Sequence, residues 1–575
     1  MLVDLDRYGG IPKNTDIHAD GTTTLALDPL AKVGQLIRFR VKGPNHQNGD
    51  IIGHAVLPLA SPLPSTMCPG PCALDHVPCP VCRGLQCGSA CVCITTIVPK
   101  TRICRDHSRE FRQAGWCCQA AVATEFTSRP AWPAQGSRKG IDIIVSAANF
   151  PLPEGTHTVS LGLGDMNGLL RGKRIPAQHW QRICESGNAL ALSLFTMDMT
   201  CDVWETPVVG FETGFPDCHI FPLHAPVAVP WEPGVAMCFA RAEGIDHAPL
   251  TVDPRQALVR QIERATQMGI EIKVGTELEF YLLDPETGLP RDTGNDCYGL
   301  VRAAELEPVL GPIREQIGAM GIPIEQSNPE YAAGQVEVNI RYDNALLAAD
   351  RVVMFRALVK QLAARYGYDA TFMAKPFLTQ SGNGFHFHYS LWSGDSNIFA
   401  DGARMNDSCR HFLAGMQTRM AESSICGAAT VNAYRRRQRE SFCPTNASWG
   451  MDNRTVALRV IEGSPSAVRV EKRDAGADCN PYLMMAADIA AGLDGLDAKM
   501  EPGAMTTGNA YDDAAAPPIP LQLDAAIDLA RGSDWLRNVL GKDQHEIWLQ
   551  QAERERDFFW HQVTPFETSR YRRVF

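Results

Sequence analysis

Gly382-Asn383-Gly384-Phe385-His386-Phe387-His388-Tyr389-Ser390-Leu391 is the stretch on which the fold turns. Side chains at i and i+2 of a strand share a face. His386 and His388 therefore project together, while Phe385 and Phe387 cover the other side. The glycines ahead of the pair allow a backbone to approach a ligand closely. Four more segments have the same make-up: Glu277-Leu278-Glu279, Glu330 followed by Glu337, Arg454 followed by Arg459, and Arg469-Val470-Glu471-Lys472-Arg473. All read as strands with a charged face. A sheet with carboxylates, imidazoles and guanidinium groups on one side calls for charged ligands, and metal ions and phosphates are the natural candidates.

The wider chain limits what those ligands can be. A net charge of -11 over 575 residues argues against nucleic acid as the main partner, which would want a basic surface. The apolar run Ala90 to Val98 is far too short to span a bilayer. The N-terminus, Met1 to Arg7, is acidic and lacks an apolar core, so it does not read as a signal peptide and the expected compartment is the cytoplasm. No Gly-x4-Gly-Lys-Ser/Thr sequence is present, so a P-loop enzyme is not expected.

The 575 residues divide into unlike parts. Residues 1–152 form a Cys- and Pro-rich extension without amphipathic periodicity, expected to be poorly structured. Ten of the 19 cysteines lie there, between Cys68 and Cys118. Cys68, Cys72, Cys79, Cys82, Cys87 and Cys91, with His76 and His107, suggest a zinc site, though their spacing is irregular. Residues 153–250 read as a small sheet domain. It has strands over Thr158 to Leu163 and Leu169 to Ile175 about the turn Asp165-Met166-Asn167-Gly168, then strands over Ala189 to Met197 and Val227 to Val229. Residues 251–575 read as a larger α/β domain. Asp253-Pro254 opens a helix with Leu258, Ile262, Ala265 and Met268 at helical spacing and Gly269 near its end. Helices near Val301 to Met320 and Ala345 to Tyr366 alternate with the charged strands. The tail from Leu521 reads as helical, with Trp535, Leu536 and Leu540 as a packing stripe.

Five converging glutamates (Glu277, Glu279, Glu330, Glu337 and Glu471) would repel one another unless cations lay between them. Carboxylates with an occasional imidazole suit Mg²⁺ or Mn²⁺ better than zinc. Arg436, Arg454, Arg459, Arg469 and Arg473 could clamp phosphate or carboxylate with paired hydrogen bonds. Metals, arginines and a glycine-rich approach together suggest phosphoryl transfer from a nucleotide.

These residues resemble the glutamine synthetase family. The motifs that carry the resemblance start at Gly275 (Gly-Thr-Glu-Leu-Glu-Phe-Tyr-Leu), Asn328 (Asn-Pro-Glu-Tyr-Ala-Ala-Gly-Gln-Val-Glu), Gly382 and Asp452 (Asp-Asn-Arg-Thr-Val-Ala-Leu-Arg-Val), followed by Asn480-Pro-Tyr-Leu. The match runs from about Ser160 to Phe575. It implies an α+β architecture of an N-terminal β-grasp domain and a C-terminal α/β catalytic domain, in ring-shaped homo-oligomers with active sites between subunits. It implies ATP and two or three Mg²⁺ or Mn²⁺ ions. Glu279, Glu330 and Glu337 would hold one metal, and Glu277, His386 and Glu471 another. Glu325, His388, Ser390 and Arg469 would bind the nucleotide. Arg454, Arg459 and Arg473 would stabilise the transferring phosphoryl group. Arg436, with Ser381 and Gly382, would bind the acid substrate, glutamate. Asp198 would lie at the amine site.

Some positions depart from the ammonia-using pattern. Phe442 falls where those members carry a glutamate on the loop after the arginine, and an aromatic ring there favours a larger organic amine. The run from Asp165 to Pro176 and the segment Ala447 to Arg454 resemble the branch that γ-glutamylates polyamines and other amines. Ser381 replaces a usual asparagine, and Tyr511 sits where some bacterial members carry a modified tyrosine. The expectation is an ATP-dependent glutamate–amine ligase. The alternatives are an ammonia-using glutamine synthetase and a catalytically inactive structural relative.

Overall fold

The computed structural model describes residues 150–291 and 294–575, and of the segment before them only the backbone of two antiparallel hairpins, Thr15–Ile17 with Thr23–Leu25 and Leu36–Val41 with Ile51–Val56. The cysteine-rich stretch and its zinc candidates lie outside the described residues, as does most of the extension expected to be unstructured.

Alternating burial builds the first sheet. β1 (Thr158–Gly164) and β2 (Leu170–Pro176) are joined by the expected turn, in which Asp165 Oδ1 accepts from Asn167 N and Leu169 N, both at 2.8 Å. Gly168 takes φ +68, the left-handed value that glycine tolerates. After α1 (Trp180–Ser186) come β3 (Asn188–Ala191), β4 (Asp217–Pro222), β5 (Val227–Ala228) and β6 (Val235–Glu243). The order is β2-β1-β6-β4-β3 with β5 beside β6, antiparallel except for the parallel pair β1/β6. One expectation fails here: no strand runs from Ala189 to Met197. It stops at Ala191 and Leu192–Thr196 coil into a 3₁₀ helix that buries Leu192, Leu194, Phe195 and Thr196. A strand with one buried face cannot bury three consecutive residues.

The second sheet positions the site. α2 (Pro254–Gln267) starts as expected, with Asp253 accepting from Arg255 N at 2.9 Å. It buries Leu258, Ile262 and Ala265, whereas Met268 is the exposed C-cap residue. Then follow β7 (Glu271–Leu283), α3 (Leu300–Ala319), β8 (Ile324–Pro329), β9 (Gln335–Asn344), α4 (Ala345–Arg365), β10 (Asp369–Thr371), β11 (Gly384–Ser393) and β12 (Ser396–Asn397). After α5 (Asp407–Gly427) and α6 (Val431–Tyr434) come β13 (Trp449–Met451), β14 (Leu458–Ile461), β15 (Arg469–Gly476) and α7 (Pro481–Ala498). Nine strands form one sheet in the order β8-β9-β7-β11-β15-β14-β13, with β10 on β7 and β12 on β11. Two charged residues expected on strands sit in turns instead. Glu330 follows β8 and Arg454 precedes β14, because backbone closure there (Glu330 N to Gln335 O, 2.8 Å) reverses the chain.

The apolar face lies under the helices. Phe385, Phe387 and Tyr389 alternate along β11 and are fully buried, with ring centroids 4.0 and 6.2 Å apart. Below them Lys472, also fully buried, pairs with Asp488 of α7, which accepts from Tyr389 Oη at 2.7 Å. α8 (Leu523–Arg531), α9 (Asp534–Leu540), α10 (Lys542–Trp560) and α11 (Pro565–Tyr571) complete the chain. Leu536 and Leu540 are buried as the stripe required, and Trp535 donates its indole N–H to Asp494 at 2.7 Å. Among the described residues no helix is long and apolar enough to cross a membrane.

Candidate active site

Strand register assembles the charged face. Glu279 of β7 lies opposite Glu337 of β9, and Glu277 opposite His386 of β11. His388 lies opposite Glu471 of β15, which in turn faces Arg459 of β14. Five strands thus bring together side chains spread over nearly two hundred residues of sequence. His386 Nδ1 is 3.1 Å from Glu277 Oε2 and 3.6 Å from Glu471 Oε1. Glu471, 1% exposed at its side chain, pairs with Arg473 and, at 2.9 Å, with Arg459.

Among the described residues two groups have donor atoms within 4.8 Å of one another: Glu277, His388 and Glu471, and Glu277, Glu337 and His386. The second contains ligands expected on different metals, and the first includes His388, expected at the nucleotide. Glu330 and Glu279 join neither group. Glu330 Oε2 accepts from Tyr331 N at 2.9 Å. Glu279 Oε2 accepts from Gly384 N at 2.9 Å and from Gln335 Nε2 at 3.1 Å.

The electrostatics suit divalent cations. Burial and the charge of Glu279 raise Glu330 to about 7. Burial and the charges of Glu277, Glu279 and Glu330 push Glu337 up as well. Burial acts upward on Glu471 too, but Arg473, His388 and His386 prevail and hold it at about 2. On Glu277, burial is likewise outweighed by His388 and His386, and its carboxyl sits below the usual range. Buried His388 Nε2 lies 2.9 Å from Glu277 Oε1 yet makes no hydrogen bond. Carboxylate oxygens and imidazole nitrogens gathered this closely fit a shared cation.

Two adjoining cavities open on this face. One of about 190 Å³ is lined by Glu277, Tyr298, Gln326, Glu337, His388 and Arg454, together with Arg459, Ile461 and Arg469. Arg454 is exposed and has no ion pair among the described residues. The other, about 420 Å³, is bordered by Glu325, His388, Ser390 and Arg469, the four residues expected at the nucleotide, and by Tyr342 and Trp392. Trp392 donates to Ser390 Oγ at 2.9 Å, and Lys273 Nζ lies 4.1 Å from its ring centre.

The remaining expected residues surround the cluster or stand apart from it. Arg436 is buried and donates to Ala475 O at 2.7 Å. A Cβ on Gly382 would come within 2.5 Å of Arg436 Cγ, so only glycine permits this approach. Tyr281 Oη donates to Ser381 O at 2.7 Å. Phe442 is 57% exposed with φ +57, next but one to Glu440 at φ +61. Such backbone is strained for a bulky residue and holds the ring outward. Tyr511 Oη donates to Cys443 O at 3.0 Å, beneath that loop. Asp198 is not brought to the cluster. It lies beyond the 3₁₀ turn of the first sheet, its Oδ1 accepting from Thr200 N and Asp202 N.

Sequence reasoning missed Gln335 and Asn339, which share the buried face of β9 with Glu337 at i and i+2 spacing. The signal was present, since these three polar residues interrupt the apolar set Val336, Val338 and Ile340. Tyr298, Gln326 and Trp392 gave no comparable signal.

The glutamine synthetase catalytic domain matches residues 251–571. A glutamate–isopropylamine ligase from a Pseudomonas species is 33% identical over 71% of this chain and 93% of its own. A γ-glutamylputrescine synthetase of Escherichia coli is 36% identical over 67% of this chain and 85% of its own. The ligand-free structure of a protein named GmaS superposes with a TM-score of 0.66 at 29% identity, covering 73% of this chain and 97% of that one. The match over the catalytic domain and the similarity to these ligases lead to one conclusion: this chain belongs to the glutamine synthetase family of ligases.

Proposed function

We propose that this protein is an ATP-dependent ligase that joins the γ-carboxylate of glutamate to an organic amine. The observation that carries it is the five-strand face on which Glu277, Glu337, His386, His388, Glu471 and Arg459 meet beside two cavities. Glu277, Glu279, Glu330, Glu337, His386 and Glu471 would hold the cations, with His388 near enough to act as a further ligand. Mg²⁺ or Mn²⁺, two or three in number, would supply charge neutralisation at the phosphates. Glu325, Ser390 and Arg469 would hold the nucleotide in the larger cavity. Arg436 would hold the substrate α-carboxylate in a paired contact, against Ser381 and Gly382.

The chemistry has two steps. An oxygen of the γ-carboxylate attacks the γ-phosphorus of ATP, the bond to the β-phosphate oxygen breaks, and ADP leaves from an acyl phosphate. The amine lone pair then attacks the acyl carbon, phosphate departs, and the nitrogen loses a proton. Arg454, with Arg459 and Arg473 behind it, offsets the charge that gathers on the phosphoryl oxygens. Exclusion of water from the site would keep the acyl phosphate from hydrolysis.

Phe442 favours an organic amine over ammonia, because a half-exposed ring on a strained loop gives an apolar wall where a small cation would want a carboxylate. The relatives named for isopropylamine and putrescine support the same branch. Residues 153–250 would be a β-grasp domain and 251–575 the catalytic domain. The catalytic sites would lie between subunits of a ring-shaped homo-oligomer in the cytoplasm, which would let Asp198 reach a neighbour's amine site. An inactive relative is disfavoured because all six proposed metal positions are occupied by glutamate or histidine. The test is ADP release with ATP, Mg²⁺ or Mn²⁺ and glutamate, comparing ammonium with isopropylamine, putrescine, spermidine and ethanolamine. Turnover with an organic amine but little with ammonium is expected. Preference for ammonium would make this a glutamine synthetase in activity and overturn the role given to Phe442.

A further inference from the structure

Gln335 opens β9 with a side chain 1% exposed and every polar atom engaged. Its Nε2 lies 3.1 Å from Glu279 Oε2, 3.1 Å from Gly382 O and 3.0 Å from Asn383 Oδ1. Its Oε1 accepts from Ala332 N at 3.3 Å, inside the turn that carries Glu330. Chemistry fixes the orientation of this amide, because three acceptors surround one end and a backbone donor the other. Asn383 is oriented in the same way, since its Nδ2 donates to Met373 O at 2.9 Å.

An amide NH₂ has two hydrogens, so three acceptors compete for them. Glu279 Oε2 therefore trades strength with the carbonyl of Gly382 and the side chain of Asn383. Gly384 N also donates to Glu279 Oε2, at 2.9 Å. Protein donors thus hold that oxygen, while an ideal Cβ on Gly384 would lie 3.0 Å from Oε1 and 3.1 Å from His386 Nε2, which puts Oε1 on the cluster side. The loop on the other end of these bonds, Ser381 to Gly384, is pressed against Arg436. Ideal Cβ atoms would come within 2.5 Å of Arg436 Cγ at Gly382, and within 3.0 Å of both Arg436 Nη2 and Glu279 Oε1 at Gly384. The acid-substrate loop and the carboxylate cluster share a seam, and Gln335 is the side chain that bridges it.

We propose that Gln335 is a positioning residue that couples cation binding at Glu279 to glutamate binding on the Ser381–Gly384 loop. The coupling rests on the reading of the charged face as the metal and glutamate site. When a cation draws charge from Glu279, Oε2 accepts less strongly. The Gln335 N–H bonds then shift toward Gly382 O and Asn383 Oδ1 and set the loop for substrate. Linkage makes the effect reciprocal, so glutamate tightens cation binding by the same factor.

The test is Mn²⁺ binding to the full-length protein, followed by electron paramagnetic resonance with and without saturating glutamate. In the wild type, glutamate should lower the apparent Mn²⁺ dissociation constant by about fivefold or more. In Gln335→Met the ratio should fall close to one while Mn²⁺ alone still binds. Tyr281→Phe loosens the same loop without touching Glu279, and should weaken glutamate binding but keep the ratio. Thermal melts monitor folding, and if Gln335→Met is too unstable, Gln335→Leu, which also removes the donor, carries the same expectation. A wild-type ratio retained in the Gln335 variant overturns the coupling. Failure of the wild type to bind Mn²⁺ or glutamate at all overturns the underlying site, and the coupling with it.

Discussion

At the scale of single residues, the arginines of the site separate into two kinds. Arg454 is exposed and has no ion pair among the described residues, so removing its charge breaks no ion pair. Arg454→Ala should leave stability within about 0.5 kcal/mol of wild type by thermal melt. If it offsets phosphoryl charge, the same change should lower kcat by about 10²- to 10³-fold in the ADP-release assay. Arg473 and Arg459 instead pair with Glu471, whose side chain is 1% exposed. Glu471→Gln leaves buried Arg473 without its counter-charge and should cost about 3–5 kcal/mol in denaturant unfolding, as well as abolishing activity. An Arg454→Ala variant as unstable as Glu471→Gln would refute this division. The motif spacing made all three arginines legible as charged. Only the register, with Glu471 opposite Arg459, separates a structural partner from a free cation.

Elements were legible where a local rule suffices and illegible where packing overrides it. The alternation of Phe385, Phe387 and Tyr389 with His386 and His388 is local, and it marked β11 and both of its faces. Asp253 and Pro254 likewise marked the start of α2. Leu192 to Thr196 broke the rule, because hydrophobicity without alternation cannot distinguish a strand from a buried 3₁₀ turn. Glu330 and Arg454 were read on strands but stand in turns, since backbone bonds that close such turns are invisible in composition. The close crossing of α5 and α7 was not legible either. A Cβ on Gly415 would lie 1.9 Å from Ala491 O, and one on Gly495 2.1 Å from His411 O. The backbones touch, so neither helix can yield alone. Gly415→Ala should destabilise the protein by about 3 kcal/mol despite the higher helix propensity of alanine, as read by the denaturation midpoint. A neutral or stabilising result would mean that the helices can separate without loss.

For the molecule as a whole, the charged face makes stability depend on pH and on divalent cations in opposite ways. Glu330 is raised from its ordinary 4.5 to about 7, and Glu337 is raised as well. A carboxyl raised by folding favours the fold while protonated, and that contribution is lost as pH climbs through the folded value. Without metal, Tm should therefore fall from about pH 4.5 through pH 7 and beyond. Glu277 and Glu471 are lowered, so their contribution is present above 4.5 and lost in acid as pH drops toward 2. The metal-free protein should thus be most stable in a narrow band near pH 4.5 to 6. A cation binds only the deprotonated cluster, so its affinity rises over the same interval in which the empty site becomes a liability. With saturating Mg²⁺ or Mn²⁺ the decline above neutrality should vanish, and binding near pH 7 should release protons. Calorimetric titration in two buffers of different ionisation enthalpy measures that release. A metal-free Tm flat from pH 5 to 9, with no proton released on binding, would mean that Glu330 and Glu337 already stand ionised and that the glutamates are held apart by the fold alone.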